Sequence, residues 1–152
     1  MLLERNIEAV RWSREAGLFT HVNVILGLPG ETRKSALRTI SAALKVDSDA
    51  CGFNVLVPWP GTPVFEMAER GEHGMRLLTE DWGQFAVVAG GALELDTLSR
   101  RELELLQLYG YARFYLRPSK IRNLPRVGDL RAIPNVLVHM ARKQLALLRG
   151  TR

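Results

Sequence analysis

The chain has 152 residues and a mass of 17.1 kDa, with 47% hydrophobic and 24% charged residues, a globular balance that excludes disordered, collagen-like and low-complexity classes. Its apolar stretches, such as Val22 to Leu28, fall far short of the roughly 20 residues a membrane-spanning helix needs, and the charge-studded N-terminus lacks a signal peptide's apolar run, so a cytoplasmic protein is expected. The formal charge of +5 is uneven: residues 1–116 carry 12 Lys+Arg against 15 Asp+Glu, and residues 117–152 carry 9 against 1, so the excess positive charge belongs to the tail and says little about the rest.

In chain order, Leu2 to Ala16 forms an amphipathic helix with Leu3, Ile7, Val10 and Ala16 near one face, stopped by Gly17. A β-branched strand, Thr20 to Leu26, runs into the breaking cluster GLPG. Thr32 caps a second helix over Arg33 to Lys45, in which Leu37, Ile40 and Leu44 recur at helical spacing. Gly52 to Val57 reads as a second, largely buried strand, stopped by PWPGTP from Pro58 to Pro63. This order predicts a βαβ unit with two parallel strands. Helices on one face would leave apolar strand surface uncovered on the other.

Thr62 and Pro63 supply the N-cap and first position of a short helix to about Arg70, stopped by Gly71. Glu72 to Leu98 reads as irregular, with a turn at Gly90-Gly91. Ser99 and Glu102 match a capping box for a helix from Arg100 to about Leu116, which ends before Arg117-Pro118. A last helix is expected from about Asn135 to Leu148.

The two strand-end loops carry the functional information. In parallel α/β arrangements ligands bind outside the carboxyl ends of the strands, where GLPGET and PWPGTP both lie. Gly27 and Gly30 let a ligand approach the backbone closely, and Pro29 stiffens the turn between them. The helix beginning near Arg33 directs amide hydrogens and its positive dipole toward the same face, which suits an anionic group. This is a binding device without an evident nucleophile and base. A Walker loop is rejected, because Lys34 follows Arg33 rather than glycine and stands seven residues after Gly27. Glu31 reads as a helix-start carboxylate rather than an acid-base catalyst. Trp59 and Phe65 read as packing or substrate-wall residues, and Cys51 as a buried small residue.

VILGLPGET from Val24 to Thr32, preceded by REAGL and followed by VPWPGTPVFE from Val57 to Glu66, resembles the back half of the radical S-adenosylmethionine enzyme barrel. The closest likeness within that superfamily is to the group that often carries a cobalamin-binding domain ahead of the barrel. YGYARFYLRP from Tyr109 to Pro118 fits the tails of such proteins. The resemblance implies an α/β fold: a partial (βα) TIM-like barrel over residues 1–71, followed by a mostly helical extension with a basic tail over 72–152.

By the same resemblance, Ile25, Gly27, Leu28, Pro29, Gly30 and Glu31 match the fifth-strand motif that contacts the adenine of S-adenosylmethionine, although the family's spacing from glycine to glutamate is lengthened here. Leu56, Val57 and Pro58 match the sixth strand's adenine contacts. The family also uses a 4Fe-4S cluster held by a CxxxCxxC motif, and in this group cobalamin as an option. Cys51 is the sole cysteine, and His21, His73 and His139 show no metal-ligand spacing, so no catalytic and no metal-ligating residue is assigned. The expectation is a C-terminal fragment, inactive alone, whose partners are the missing N-terminal barrel half, in the same gene or a separate chain, and a small-molecule substrate.

A second reading is a non-catalytic interaction or membrane-surface module descended from that barrel. Val136, Leu137, Met140, Leu147 and Leu148 form an apolar stripe beside Arg142, Lys143 and Arg149, so the tail helix would lie peripherally on an anionic membrane. Nucleic acid is disfavoured, since the basic run lacks interleaved aromatics.

Overall fold

The structure, a computed structural model, describes residues 3–87 and 92–123. The expected turn at Gly90-Gly91, the helix from Asn135 to Leu148 and the basic membrane stripe lie outside the described residues.

Helix α1 (Leu3–Glu15) leads through Gly17 to strand β1 (His21–Leu26), helix α2 (Arg33–Val46) and strand β2 (Ala50–Val55). The strands pair in parallel from His21↔Ala50 to Leu26↔Val55, as a strand–helix–strand crossover requires. Strand β2 starts and ends two residues earlier than the expected Gly52 to Val57. Its start is tied to that of β1: Thr20 donates its amide (2.9 Å) and hydroxyl (2.7 Å) to the Asp49 carboxylate, and the Ala50 amide reaches the Thr20 carbonyl at 3.0 Å.

The caps follow the sequence. Thr32 accepts from the Ser35 amide while Ser35 accepts from the Thr32 amide, a reciprocal box built on serine rather than glutamate. Thr62 caps α3 (Pro63–Glu69), with proline at its first position. Ser99 and Glu102 form the expected capping box of α4 (Arg100–Tyr115). Helix α5 (Pro118–Asn123) follows.

Residues 72–98, expected to be irregular, contain two short 3-10 turns and an antiparallel pair, β3 (Met75–Leu77) with β4 (Leu93–Leu95). Three residues per strand leave too short a pattern to read locally. The region's structure comes from packing, since Met75, Leu93 and Leu95 enter the core.

That core lies on one face of the parallel sheet. Leu26 of β1 and Cys51, Phe53 and Val55 of β2 meet Ala36, Ile40 and Ala43 of α2 and Leu103, Leu106 and Phe114 of α4. Gly110 lets α4 pass directly over Phe53. Phe53 also makes edge-on contacts with Tyr111 and Phe114. The opposite face is uncovered among the described residues. It was expected to be apolar, but it presents His21, Asn23 and Ile25 beside Gly52 and Asn54, so it is mostly polar. Gly52 makes room there: an added Cβ would fall on the Asn23 carboxamide oxygen.

The two sheet edges differ. The outward backbone groups of β2 are taken up by α4 and the chain before it. The Tyr115 hydroxyl engages the Cys51 amide and carbonyl, both at 3.1 Å, and the Val55 amide donates to the Val87 carbonyl at 2.9 Å. The buried Gln107 carboxamide donates to the carbonyls of Phe53 (2.6 Å) and Val87 (2.8 Å). Strand β1 pairs only with β2 among the described residues, so its other edge is open.

At the amino ends of the strands, Asp47 takes the left-handed conformation that ends α2 and gathers cations. Its carboxylate meets Lys120 at 3.0 Å, Arg117 at 3.2 Å and Arg14 at 3.6 Å. Lys120 is buried and also donates to the Ser48 carbonyl. This network anchors α1, α5 and the junction between α4 and α5 at the end of the sheet remote from the glycine-proline loops. None of the described helices is long and apolar enough to cross a membrane.

Candidate functional site

The GLPGET and PWPGTP loops leave the same end of the sheet, the carboxyl end of both strands. Leu26 and Val55 are in register, and the amide of Leu56 continues the ladder to the carbonyl of Leu26 at 2.8 Å. Gly27 and Leu56 are then neighbours, because a Cβ on Gly27 would lie 3.8 Å from that of Leu56. One rim therefore carries Gly27 to Gly30 on one side and Leu56 to Trp59 on the other.

The first loop turns on Gly27 (φ +86°) and Gly30 (φ +71°), both in the left-handed region that glycine enters without a Cβ penalty. Glu31 folds back beneath them. Its carboxylate accepts the Gly27 amide at 2.6 Å, and its own amide donates to the Leu28 carbonyl at 2.9 Å. The Glu31 side chain is buried, and burial holds its carboxyl above the ordinary glutamate range, against hydrogen bonds from Gly27 and Leu28 that favour the charged form. The glutamate thus braces the loop from inside. Its carboxylate engages the loop amide of Gly27, where a helix-start role at α2 was expected of it.

The Gly27 amide is bound by Glu31, the Ser35 amide by Thr32 Oγ1 and the Ala36 amide by the Thr32 carbonyl. These donors are satisfied within the chain rather than offered to an anion.

Of the residues expected at the site, Ile25 (45% exposed) and Leu28 (46%) stand open at the rim and Gly30 is exposed, whereas Leu56, Val57 and Pro29 are half-buried and Gly27 is buried beneath Leu103 and Leu56. Pro58 is fully buried, so it shapes the loop from beneath. Trp59, 50% exposed, is fixed on the rim: its carbonyl accepts from the Thr62 amide and hydroxyl, and its ring lies 5.9 Å from that of buried Phe85. Phe85 belongs to the stretch latched to β2 through Val87 and Gln107, a relation no local pattern announces. The exposed rim residues from Ile25 to Gly30 and from Leu56 to Gly61 carry no ionisable side chain.

Three further residues escaped sequence reasoning. Asn23 and Asn54 are neighbours on the uncovered face, just below the rim, and Asn is depleted in strands. Thr97 donates its hydroxyl to the Glu31 carbonyl across 66 residues of sequence. His21 stands at the opposite, amino end of β1.

The donor set for metal is poor. Cys51 is 1% exposed, with its thiol pushed up to about 12 by burial. No group of three His, Cys, Asp or Glu able to hold a metal ion occurs among the described residues. These residues do not fit an iron–sulfur cluster. A broad cleft between α3 and the β3–β4 pair, lined by Arg70, Arg76, Glu80 and Asp96, lies apart from the rim.

The chain is 31% identical over 115 residues to an uncharacterized methyltransferase of Pyrococcus horikoshii, a match covering 76% of this chain and 24% of that protein. It is 31% identical over 112 residues to the anaerobic magnesium-protoporphyrin IX monomethyl ester cyclase of Cereibacter sphaeroides, covering 74% of this chain and 17% of that protein. The same-named cyclase of Rubrivivax gelatinosus is 25% identical over 114 residues, covering 75% and 20%. The chain thus spans a quarter or less of the length of the curated relatives it matches. No family model matches the chain, and no solved structure does.

Proposed function

We propose that this chain is the S-adenosylmethionine-side and substrate-side portion of a radical S-adenosylmethionine protein, built as a partial (βα) barrel. The observation that carries the reading is the shared rim, with the Gly27–Gly30 and Leu56–Trp59 corners held side by side by the Leu56–Leu26 hydrogen bond. Ile25, Leu28, Leu56 and Val57 would receive the adenine, and Gly30, the exposed glycine of the first loop, would let it approach the backbone. Glu31 and Pro58 would hold the loops from beneath. Bound S-adenosylmethionine supplies a sulfonium from which a methyl or adenosyl fragment is released. The relatives named a methyltransferase and a cyclase support a chemistry of that kind.

The electron source would come from elsewhere, since the thiols for a cluster are not among these residues. The sheet offers one place for the complement. The outer edge of β2 is filled by Tyr115, Gln107 and Val87, whereas among the described residues β1 has an open edge and the sheet an uncovered face bearing Asn23 and Asn54. Strands from the remainder of the barrel, in the same or another chain, would add at β1 and turn that polar face into an interior wall.

Equilibrium dialysis against S-adenosylhomocysteine tests the binding role. The chain should retain the nucleoside, whereas anaerobic reconstitution of the chain alone with iron and sulfide should give no stoichiometric cluster. Adding a polypeptide that carries the CxxxCxxC half should give both in one complex. Failure to retain the nucleoside, alone and in the mixture, contradicts the proposal.

A further inference from the structure

The first rim loop is braced from two sides. From inside, the Glu31 carboxylate holds the Gly27 amide. From outside, the turn joining β4 to α4 presses its tip against the same residue, with the Thr97 hydroxyl donating to the Glu31 carbonyl. That turn is tightly closed, since the Leu95 amide reaches the Leu98 carbonyl at 2.9 Å and the Leu98 amide returns to the Leu95 carbonyl at 3.1 Å. Leu98 beside it is fully buried, so the tip has a fixed base. One turn into α4, the Leu103 methyls stand 3.4 and 3.5 Å from where a Cβ of Gly27 would be. The Thr97 side chain is exposed, so water is an available partner, yet its hydroxyl points to the rim loop.

We infer that Thr97 is a positioning residue for the rim: by holding the Glu31 carbonyl it fixes the residue whose carboxylate fixes Gly27, and so sets where Leu28 and Pro29 stand opposite Leu56 and Val57. The segment after the βαβ unit is then part of the binding machinery rather than an appendage to it. The choice of ligand for the test rests on the proposed function; the positioning claim does not.

The test compares the wild-type chain with Thr97→Val, which keeps the shape and removes the donor, and Thr97→Ser, which keeps the donor. In Thr97→Val, amide exchange at Gly27, Leu28 and Glu31 should accelerate while β1, β2 and the global melting temperature hold. The affinity for S-adenosylhomocysteine should fall roughly three- to tenfold, the size of one lost hydrogen bond. Thr97→Ser should restore both. Unchanged exchange in the loop, uniform loosening of the whole chain, or a serine variant that behaves like valine would overturn the inference. If the wild-type chain binds no nucleoside, alone or with the CxxxCxxC half, the proposed function fails while the exchange comparison still decides the role of Thr97.

Discussion

The amide of Leu56 and the carbonyl of Leu26 meet at 2.8 Å, one step beyond the last residue of β2. This final rung joins the two glycine-proline corners, because each chain leaves the ladder immediately afterwards, at Gly27 and Val57. Ligands of open parallel sheets bind beyond the carboxyl ends of the strands, and here both corners stand at those ends without an exposed charge between them.

Glu31 gives a pH signature. Its folded carboxyl titrates above the ordinary range, chiefly because of burial, so between the unfolded and folded values the native chain holds more proton than the unfolded chain. This group's contribution to stability is present below that window, is lost as pH rises through it, and is flat above it. Glu31→Gln has no proton to lose. Urea unfolding of both forms between roughly pH 4 and 7 should show the stability of wild type relative to the variant declining with rising pH. A difference that is flat or rises would show that the carboxyl is not raised.

Cys51 should be chemically silent in the native chain. Burial pushes its thiol up to about 12, outweighing the opposing pull of Arg117 and Lys120, so little thiolate exists at about pH 8. A thiol reagent at that pH should label the folded protein far more slowly than the unfolded chain. In denaturant, one equivalent should react, matching the single cysteine. Rapid native labelling would mean that β2 is not covered by α4 as described.

Gly110→Ala tests the packing of α4 on the sheet. In a solvent-facing helix position this change would stabilise by about 1 kcal/mol. Here the new Cβ would lie 2.6 to 2.9 Å from three Phe53 ring atoms. That ring is fully buried between Tyr111 and Phe114 and has no room to withdraw. Overpacking of this kind costs about 1–3 kcal/mol, so the net effect should be destabilisation in denaturant unfolding. A gain in stability would contradict the packing.

What could be read from the sequence was whatever short range determines. The strand–helix–strand order, the caps at Thr32, Thr62 and Ser99 and the placement of both loops at strand ends all rest on signals a few residues apart. Strands β3 and β4 escaped because three residues show no period and their pairing is set by the core. Thr97, Gln107 and Phe85 act on residues 26 to 66 positions away, a distance over which residue type alone gives no geometry. The uncovered face was expected, but its polar character was not. Val22 and Val24 set the β-branched impression of β1, while His21 and Asn23 occupy the alternate positions.

The most direct test of the rim is a nitrogen-15 chemical-shift map of the chain titrated with S-adenosylhomocysteine. The account predicts that Gly27, Leu28 and Gly30 shift together with Leu56, Val57 and Trp59 along a single binding curve. Shifts confined to one of the two loops, or centred instead on the cleft at Arg70 and Arg76, would contradict it.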